Sequence, residues 1–135
     1  MKSCPQCQKT FRPVRPHHMF CKAKCANAYN RGKTWYNYFR RLLQNSASQR
    51  KGLSIANLEK LLAKQHGNCA ISGVELTKIT GQGVVSTNAS IDRIKAGGPY
   101  TLANIRLVCN FVNGFKNDMD DKTFRWWCER IVENG

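Results

Sequence analysis

The amino-acid sequence predicts an α+β fold in which a cysteine-rich knuckle and a long basic helix precede a β-hairpin, a short helix and a last helix. Three observations predict it. Four cysteines open the chain in two close pairs, Cys4/Cys7 and Cys21/Cys25. An apolar stripe of helical period follows, carried by Tyr29, Trp35, Tyr36, Phe39, Leu42 and Leu43. Beyond residue 84 the pattern changes to short β-branched runs on either side of Gly97-Gly98-Pro99. A chain of 135 residues holds one modest core or two small modules, one of them leaning on a metal. The expected division is 1–52 and 53–135.

The first element rests on the spacing C-x2-C-x13-C-x3-C. Two close pairs joined by a short loop place four thiolates tetrahedrally around one Zn²⁺, so Cys4, Cys7, Cys21 and Cys25 are the expected ligands of a structural zinc knuckle. His17 and His18 are alternative ligands, or loop residues open to phosphate. Pro13 and Pro16 stiffen the loop, and Phe11 and Phe20 offer apolar contacts beside the metal. The opening Met1-Lys2-Ser3-Cys4-Pro5 lacks the apolar stretch of a secretory signal. The seven cysteines are therefore expected in a reducing, cytoplasmic setting, where thiols bind metal instead of pairing.

Charge is placed unevenly. Residues 1–58 carry twelve Lys and Arg and no acid, whereas residues 59–135 carry ten Lys and Arg against eight acids, within a net charge of +14. A one-signed block of this size repels itself unless a polyanion neutralises it, which points to nucleic acid. No run of 18 apolar residues exists, so a membrane span is excluded. The helix expected from Ala26 to about Arg50, with Gly32 as a weak point, sets Arg31, Lys33, Arg40, Arg41, Arg50 and Lys51 between its aromatics as candidate phosphate contacts. Tyr38 lies off the stripe and is a candidate for stacking on a base. Asn45-Ser46-Ala47-Ser48-Gln49 and Gly52 supply a polar break between the modules.

Ser54 is a suitable N-cap for a helix running to about Gln65, with Leu58, Leu61 and Leu62 on one face and Gly67 ending it. Val84–Ser86 and Ala89–Ile94 read as strands, as does Ile105–Val108 after the Gly-Gly-Pro turn. Cys109–Asn117 forms a short helix, and Asp121 is placed to cap a last one carrying Phe124, Trp127, Cys128 and Ile131. Trp126 and Trp127 are expected in the core or between modules, with stacking on nucleic acid as the alternative.

The segments Ser90-Ile91-Asp92-Arg93-Ile94, Gly98-Pro99-Tyr100-Thr101-Leu102-Ala103-Asn104-Ile105-Arg106-Leu107-Val108-Cys109 and Asn113-Gly114-Phe115-Lys116 make a strand, loop, strand, helix unit. Their order resembles the HNH endonuclease motif, and Cys69-Ala70-Ile71-Ser72-Gly73 resembles the knuckle that often precedes it. The likeness covers residues 65–118, about 40% of the chain, and extends to a branch of phage-type proteins with Ile-Asp-Arg-Ile at the first strand. It implies a ββα-metal fold that holds one Mg²⁺ or Mn²⁺. By position, Asp92 and Asn113 match the metal-holding residues, and Asn104 matches the asparagine that buttresses the loop. A hard cation suits such oxygen donors and stabilises charge on a phosphodiester under attack. Lys116 is then a candidate phosphate contact.

Two departures accompany the likeness. Where the family places its general-base histidine stands Arg93, whose guanidinium cannot take a proton at neutral pH but can clamp a phosphate oxygen. His66 is the candidate base left outside the knuckle, the alternative being direct attack by a metal-bound hydroxide. Cys69 is followed by Ser72 and Cys109 by Val112, so half of a second zinc site is missing, and Cys69, Cys109 and Cys128 are expected as small buried hydrophobes. The resemblance thus implies a metal-dependent endonuclease or nickase acting on double-stranded DNA, intact, branched or nicked, in a bacterial or phage-infected cell. The alternative is a DNA-binding regulator that keeps the fold without the reaction. A zinc-ribbon adaptor for a protein partner is a third reading.

Overall fold

The computed structural model describes residues 1–45 and 50–135. Among these are five α-helices and two small antiparallel sheets, with the four-cysteine cluster near the N-terminus. Strand β1 (Lys2–Ser3) pairs with β2 (Thr10–Phe11), and the turn between them carries the first cysteine pair. No alternation in the sequence signals these two-residue strands. The turn is fixed by Gln8 at φ 61°, whose amide donates to the Cys4 carbonyl.

The helix expected over residues 26–50 is two helices. Helix α1 (Ala23–Gly32) ends at the glycine, and α2 (Trp35–Gln44) starts afresh with Thr34 as its N-cap, its hydroxyl accepting from the Asn37 amide at 3.2 Å. Glycine weakens helix propagation, and threonine offers the exposed amides a competing acceptor. The break expected at residues 45–49 falls mostly on 46–49, outside the described residues.

Helix α3 (Ile55–Lys64) begins as read, with a reciprocal Ser54/Asn57 capping box at 3.2 and 3.0 Å. It ends where His66 and Gly67 take positive φ, at 53° and 74°. The Val84–Ser86 strand does not form: Gly81 and Gly83, at φ 79° and 73°, hold that stretch in a loop, and Val84 is exposed. Strand β3 (Ala89–Arg93) pairs in register with β4 (Ile105–Cys109), setting Ile91 opposite Leu107 and Asp92 opposite Arg106. Helix α4 (Asn110–Lys116) follows β4 directly and packs back on the hairpin. Helix α5 (Asp121–Asn134) is capped by Asp120, whose carboxylate accepts from the Thr123 amide at 2.7 Å, one residue earlier than expected.

The core joins Tyr38, Phe39, Leu58, Leu61, Leu76, Ile91, Ile105, Leu107 and Val108. The boundary drawn at residue 52 is a change of sequence character, and the core crosses it. Tyr38 is buried and its hydroxyl donates to the Ala89 carbonyl at 2.7 Å, so it is unavailable for stacking on a base. Burial of the ring pushes its ionisation upward. Gln6 donates to the Thr80 carbonyl at 2.6 Å, and the Thr80 hydroxyl donates to the Ala28 carbonyl, seating the loop before β3 on α1. On the outer edge of β4 the Gln65 side chain acts as a pincer. Its Oε1 accepts from the Leu107 amide at 3.0 Å, and its Nε2 donates to the Leu107 carbonyl at 2.8 Å.

Helix α5 is the exception to this packing. None of its residues is buried, and every residue from Arg125 to Asn134 is exposed. Trp126 and Trp127, expected in the core or between modules, are 50% and 51% exposed. Cys128, expected to be buried, is exposed as well. No helix is long and apolar enough to cross a membrane, among the described residues.

Candidate functional site

The knuckle turn and the first turn of α1 bring Cys4, Cys7, Cys21 and Cys25 together, with all four sulfurs within 4.8 Å of one another. Cys7 to Cys21 and Cys21 to Cys25 each measure 3.6 Å. Tetrahedral ligands at the usual Zn–S length of about 2.3 Å stand about 3.7 Å apart, so the donor set and its spacing fit a single tetrahedral cation. Burial pushes the Cys4 thiol up, but amide donation from Cys21, Cys7 and Gln6 outweighs it and brings it to about 6. Burial, then the crowding of Cys25, Cys7 and Cys4, pushes Cys21 up to about 12. Four thiols this close lose their protons together only against a cation. His17 is exposed. His18 accepts from the Val14 amide at 3.4 Å and sits edge-on to Phe11, so neither completes the cluster.

The second site lies between β3 and α4. Ser90 and Asp92, two apart on a strand, share one face. Asn113 and Lys116, three apart on a helix, share another. The faces meet: Asn113 Nδ2 donates to Ser90 Oγ at 2.8 Å, and Lys116 Nζ donates to Asp92 Oδ1 at 3.3 Å. Arg106, opposite Asp92 in the hairpin, donates Nε to Asp92 Oδ2 at 2.9 Å and its terminal nitrogens to Asp121 at 2.9 and 2.6 Å. Two carboxylates and two cations thus form one partly buried network. Its hydrogen bonds to Arg106 hold the Asp121 carboxyl below the usual carboxylate range. Asp121 first, and then Asp92, hold the Arg106 guanidinium more firmly protonated.

Carboxylate, amide and hydroxyl oxygens are the donors a hard divalent cation prefers. In donor type, Asp92, Asn113, Ser90 and Asp121 fit one. Both Asp92 oxygens, however, already face a cation, so a metal here has to share that carboxylate with Arg106 and Lys116. Lys116 is 1% exposed and ion-paired, which corrects its reading as a phosphate contact.

Asn104 Oδ1 accepts from the Lys95 amide at 3.0 Å and its Nδ2 donates to the Pro99 carbonyl at 2.9 Å, tying the loop between the strands to the foot of β4. A Cβ at Gly98 would stand 2.8 Å from the Asn104 amide nitrogen and 3.0 Å from the Lys95 carbonyl, so a side chain here would push the Asn104 amide off its bonds to the loop. Arg93 donates to the Gly98 carbonyl at 3.2 Å, with its guanidinium 4.8 Å from the centre of the Tyr100 ring. His66 is exposed in the turn after α3, beside the outer edge of β4, and shares no hydrogen bond with Asp92, Asn104 or Asn113 among the described residues.

Of the expected phosphate contacts, Arg31, Lys33, Arg40, Arg41 and Lys51 are exposed. Arg31 and Arg41 line one groove of about 380 Å³ with Gly81 and Gly83 of the docked loop. Arg50 is different: its Nη1 donates to the Leu42 carbonyl at 2.7 Å, and its guanidinium lies over Tyr100, so it serves the fold. Cys69 is buried but not inert. Its sulfur accepts from the Ser72 and Cys109 amides at 3.4 and 3.3 Å, and these donors overcome burial to lower its thiol below the usual value.

Ser90, Arg106 and Asp121 escaped sequence reasoning. The signal available was thin, since Arg106 stands on a strand face only once the register with Asp92 is known.

No protein-family model and no curated protein matches the chain. One solved structure similar to it is described as the rare-cutting HNH restriction endonuclease PacI. It shares 17% identity over 99% of this chain and 95% of the other, with a TM-score of 0.48.

Proposed function

We propose that this chain grips duplex DNA through its basic first half and acts there as a metal-dependent endonuclease or nickase of HNH type, hydrolysing phosphodiester bonds beside β3 and α4. The observation that carries this reading is the meeting of the Ser90/Asp92 strand face with the Asn113/Lys116 helix face, which gathers oxygen donors in one place in a basic molecule. The resemblance of these positions to the HNH motif supports it. Asp92 and Asn113 would hold the cation, with Ser90 orienting the Asn113 amide. When bound, Mg²⁺ or Mn²⁺ supplies neutralisation of phosphate charge and a more acidic water. Arg93, a guanidinium with no lone pair to offer, attracts the phosphate without acting as base. The exposed cations of α1 and α2 draw in the backbone and set its register. Zinc is the ion proposed for Cys4, Cys7, Cys21 and Cys25, on the sulfur spacing and the all-thiolate donor set.

One observation favours a second reading, a DNA-binding regulator that does not cleave: Asp92 is already neutralised by Arg106 and Lys116. Supercoiled plasmid incubated with the protein in Mg²⁺ or Mn²⁺, beside Asp92→Ala and Asn113→Ala, separates the two. Nicking that both substitutions abolish supports the nuclease. DNA retention without nicking above either variant, in both metals, leaves the regulator.

A further inference from the structure

The chain leading into β3 forms a loop whose foot is firmly built and whose tip stands free. Buried Asn88 closes the foot: its Oδ1 accepts from the Ile79 amide at 2.8 Å, and its Nδ2 donates to the Ile79 carbonyl at 2.6 Å. Beside it the Thr77 amide donates to the Thr87 carbonyl at 2.9 Å. Thr80, also buried, is tied twice, to the Gln6 side chain and to the Ala28 carbonyl of α1. Gly81, at φ 79°, brings the backbone so near α1 that a Cβ there would stand 3.0 Å from the Ala28 Cβ. At the far end the Ser86 carbonyl accepts from the Phe111 amide of α4 at 3.1 Å. A tip anchored in this way has little conformational entropy left to lose when it meets a partner.

Residues 81–87 carry no charge, and no acid lies between Glu75 and Asp92. Cations nevertheless flank the loop on both sides. Lys22, Lys24 and Arg31 line one groove with Gly81 and Gln82, and Arg31 and Arg41 line the other with Gly83 and Val84. All four cations are exposed, and none meets a carboxylate among the described residues. Phosphates of a duplex are drawn to such flanks, and an uncharged tip set between them is placed for base edges. Gln82 is exposed at that tip. Its amide offers an acceptor and a donor side by side, the complement of adenine N6 and N7 in the major groove. Val84, two residues on and 76% exposed, suits a thymine methyl. We infer that residues 81–87 are a base-reading loop, which enters the major groove with Gln82 on adenine while Lys24, Arg31 and Arg41 hold phosphates alongside. Base reading by Gln82 rests on the proposed grip of duplex DNA by the basic half and is independent of the cleavage chemistry.

Selection of bound duplexes from a random-sequence library tests it, with the zinc-loaded full chain and no added Mg²⁺ or Mn²⁺, so that binding alone is read. The wild type should enrich a motif with at least one fixed adenine. Gln82→Ala should lose about tenfold of the preference for adenine at that position, the scale of one bidentate base contact. Its affinity for an unselected duplex, its salt slope and its melting temperature should stay as they were, because the position is exposed. Gln82→Glu should move the preference there from adenine to cytosine, whose N4 donates to a carboxylate, a switch that a merely structural role would not produce. Lys24→Ala should instead weaken all duplexes alike and lower the salt slope by about one. A motif left unchanged by Gln82→Ala overturns the inference, as does wild-type binding with no preference for any base, and both outcomes leave the DNA grip standing. A protein that retains no duplex at all removes the grip itself, and base reading with it.

Discussion

The guanidinium of Arg106 grips Asp121 through both terminal nitrogens, at 2.9 and 2.6 Å, while its Nε holds the buried Asp92. One side chain in the middle of a strand thus fixes the first turn of α5 and neutralises the carboxylate that faces α4. Paired in this way, a planar fork is far more directional than an ammonium group.

Acid should release α5 first. Asp121 is held below its ordinary value of 3.8 by Arg106 in the folded chain. Its contribution is therefore complete above that value and fades as pH falls through the lower folded one. Limited proteolysis along residues 122–134, followed from neutral pH down to about pH 2, should show cleavage rising in that acid window before the core unfolds. Uniform resistance down to global unfolding would mean that the Arg106–Asp121 pair does not hold the helix.

Arg106→Ala should destabilise the protein by about 3 kcal/mol, because it leaves Asp92 buried with only Lys116 beside it. Lys116→Met should cost less, since Arg106 remains on Asp92 and the methionine fills the space. Denaturant melts of the two variants check the order. The reverse order would place Lys116, not Arg106, at the centre of the network.

Metal analysis should find about one zinc per chain, and Cys21→Ser should lower that content. Chelation should then loosen the turn carrying Cys4 and Cys7 together with the start of α1, lowering helical circular dichroism and DNA affinity while the β3–β4 hairpin keeps its amide protection. Retention of full DNA affinity after chelation would separate the cysteine cluster from binding.

Arg40→Ala with Arg41→Ala should weaken binding to unrelated duplexes alike and reduce the salt slope of affinity by about two, near 0.9 for each lost phosphate contact. The melting temperature should stay unchanged, both residues being exposed. Arg50→Ala should do the opposite, lowering stability through its lost bond to the Leu42 carbonyl and leaving the salt slope in place.

Local rules carried much of the fold. The Ser54 cap, the stop at Gly67 and the hairpin around Gly97–Pro99 follow from propensity and turn chemistry that act over a few residues. The four-cysteine cluster was legible because metal geometry demands close pairs. Long-range features were not. Whether Tyr38 stacks on a base or bonds the Ala89 carbonyl 51 residues away depends on packing that periodicity does not report. The same holds for Lys116, whose place at the inner end of a short helix made it a core cation. Trp126 and Trp127 look like core by composition alone, and only the position of α5 relative to the body sets them in solvent.

The Gln65 pincer has a consequence for solubility. Leu107, in the centre of β4, turns its amide and carbonyl away from β3, toward the side where a further strand would add. With an amide side chain already filling both groups, the hairpin offers no free template there to a stray extended segment, and a two-stranded ribbon escapes fibril-like growth without a third strand to guard it.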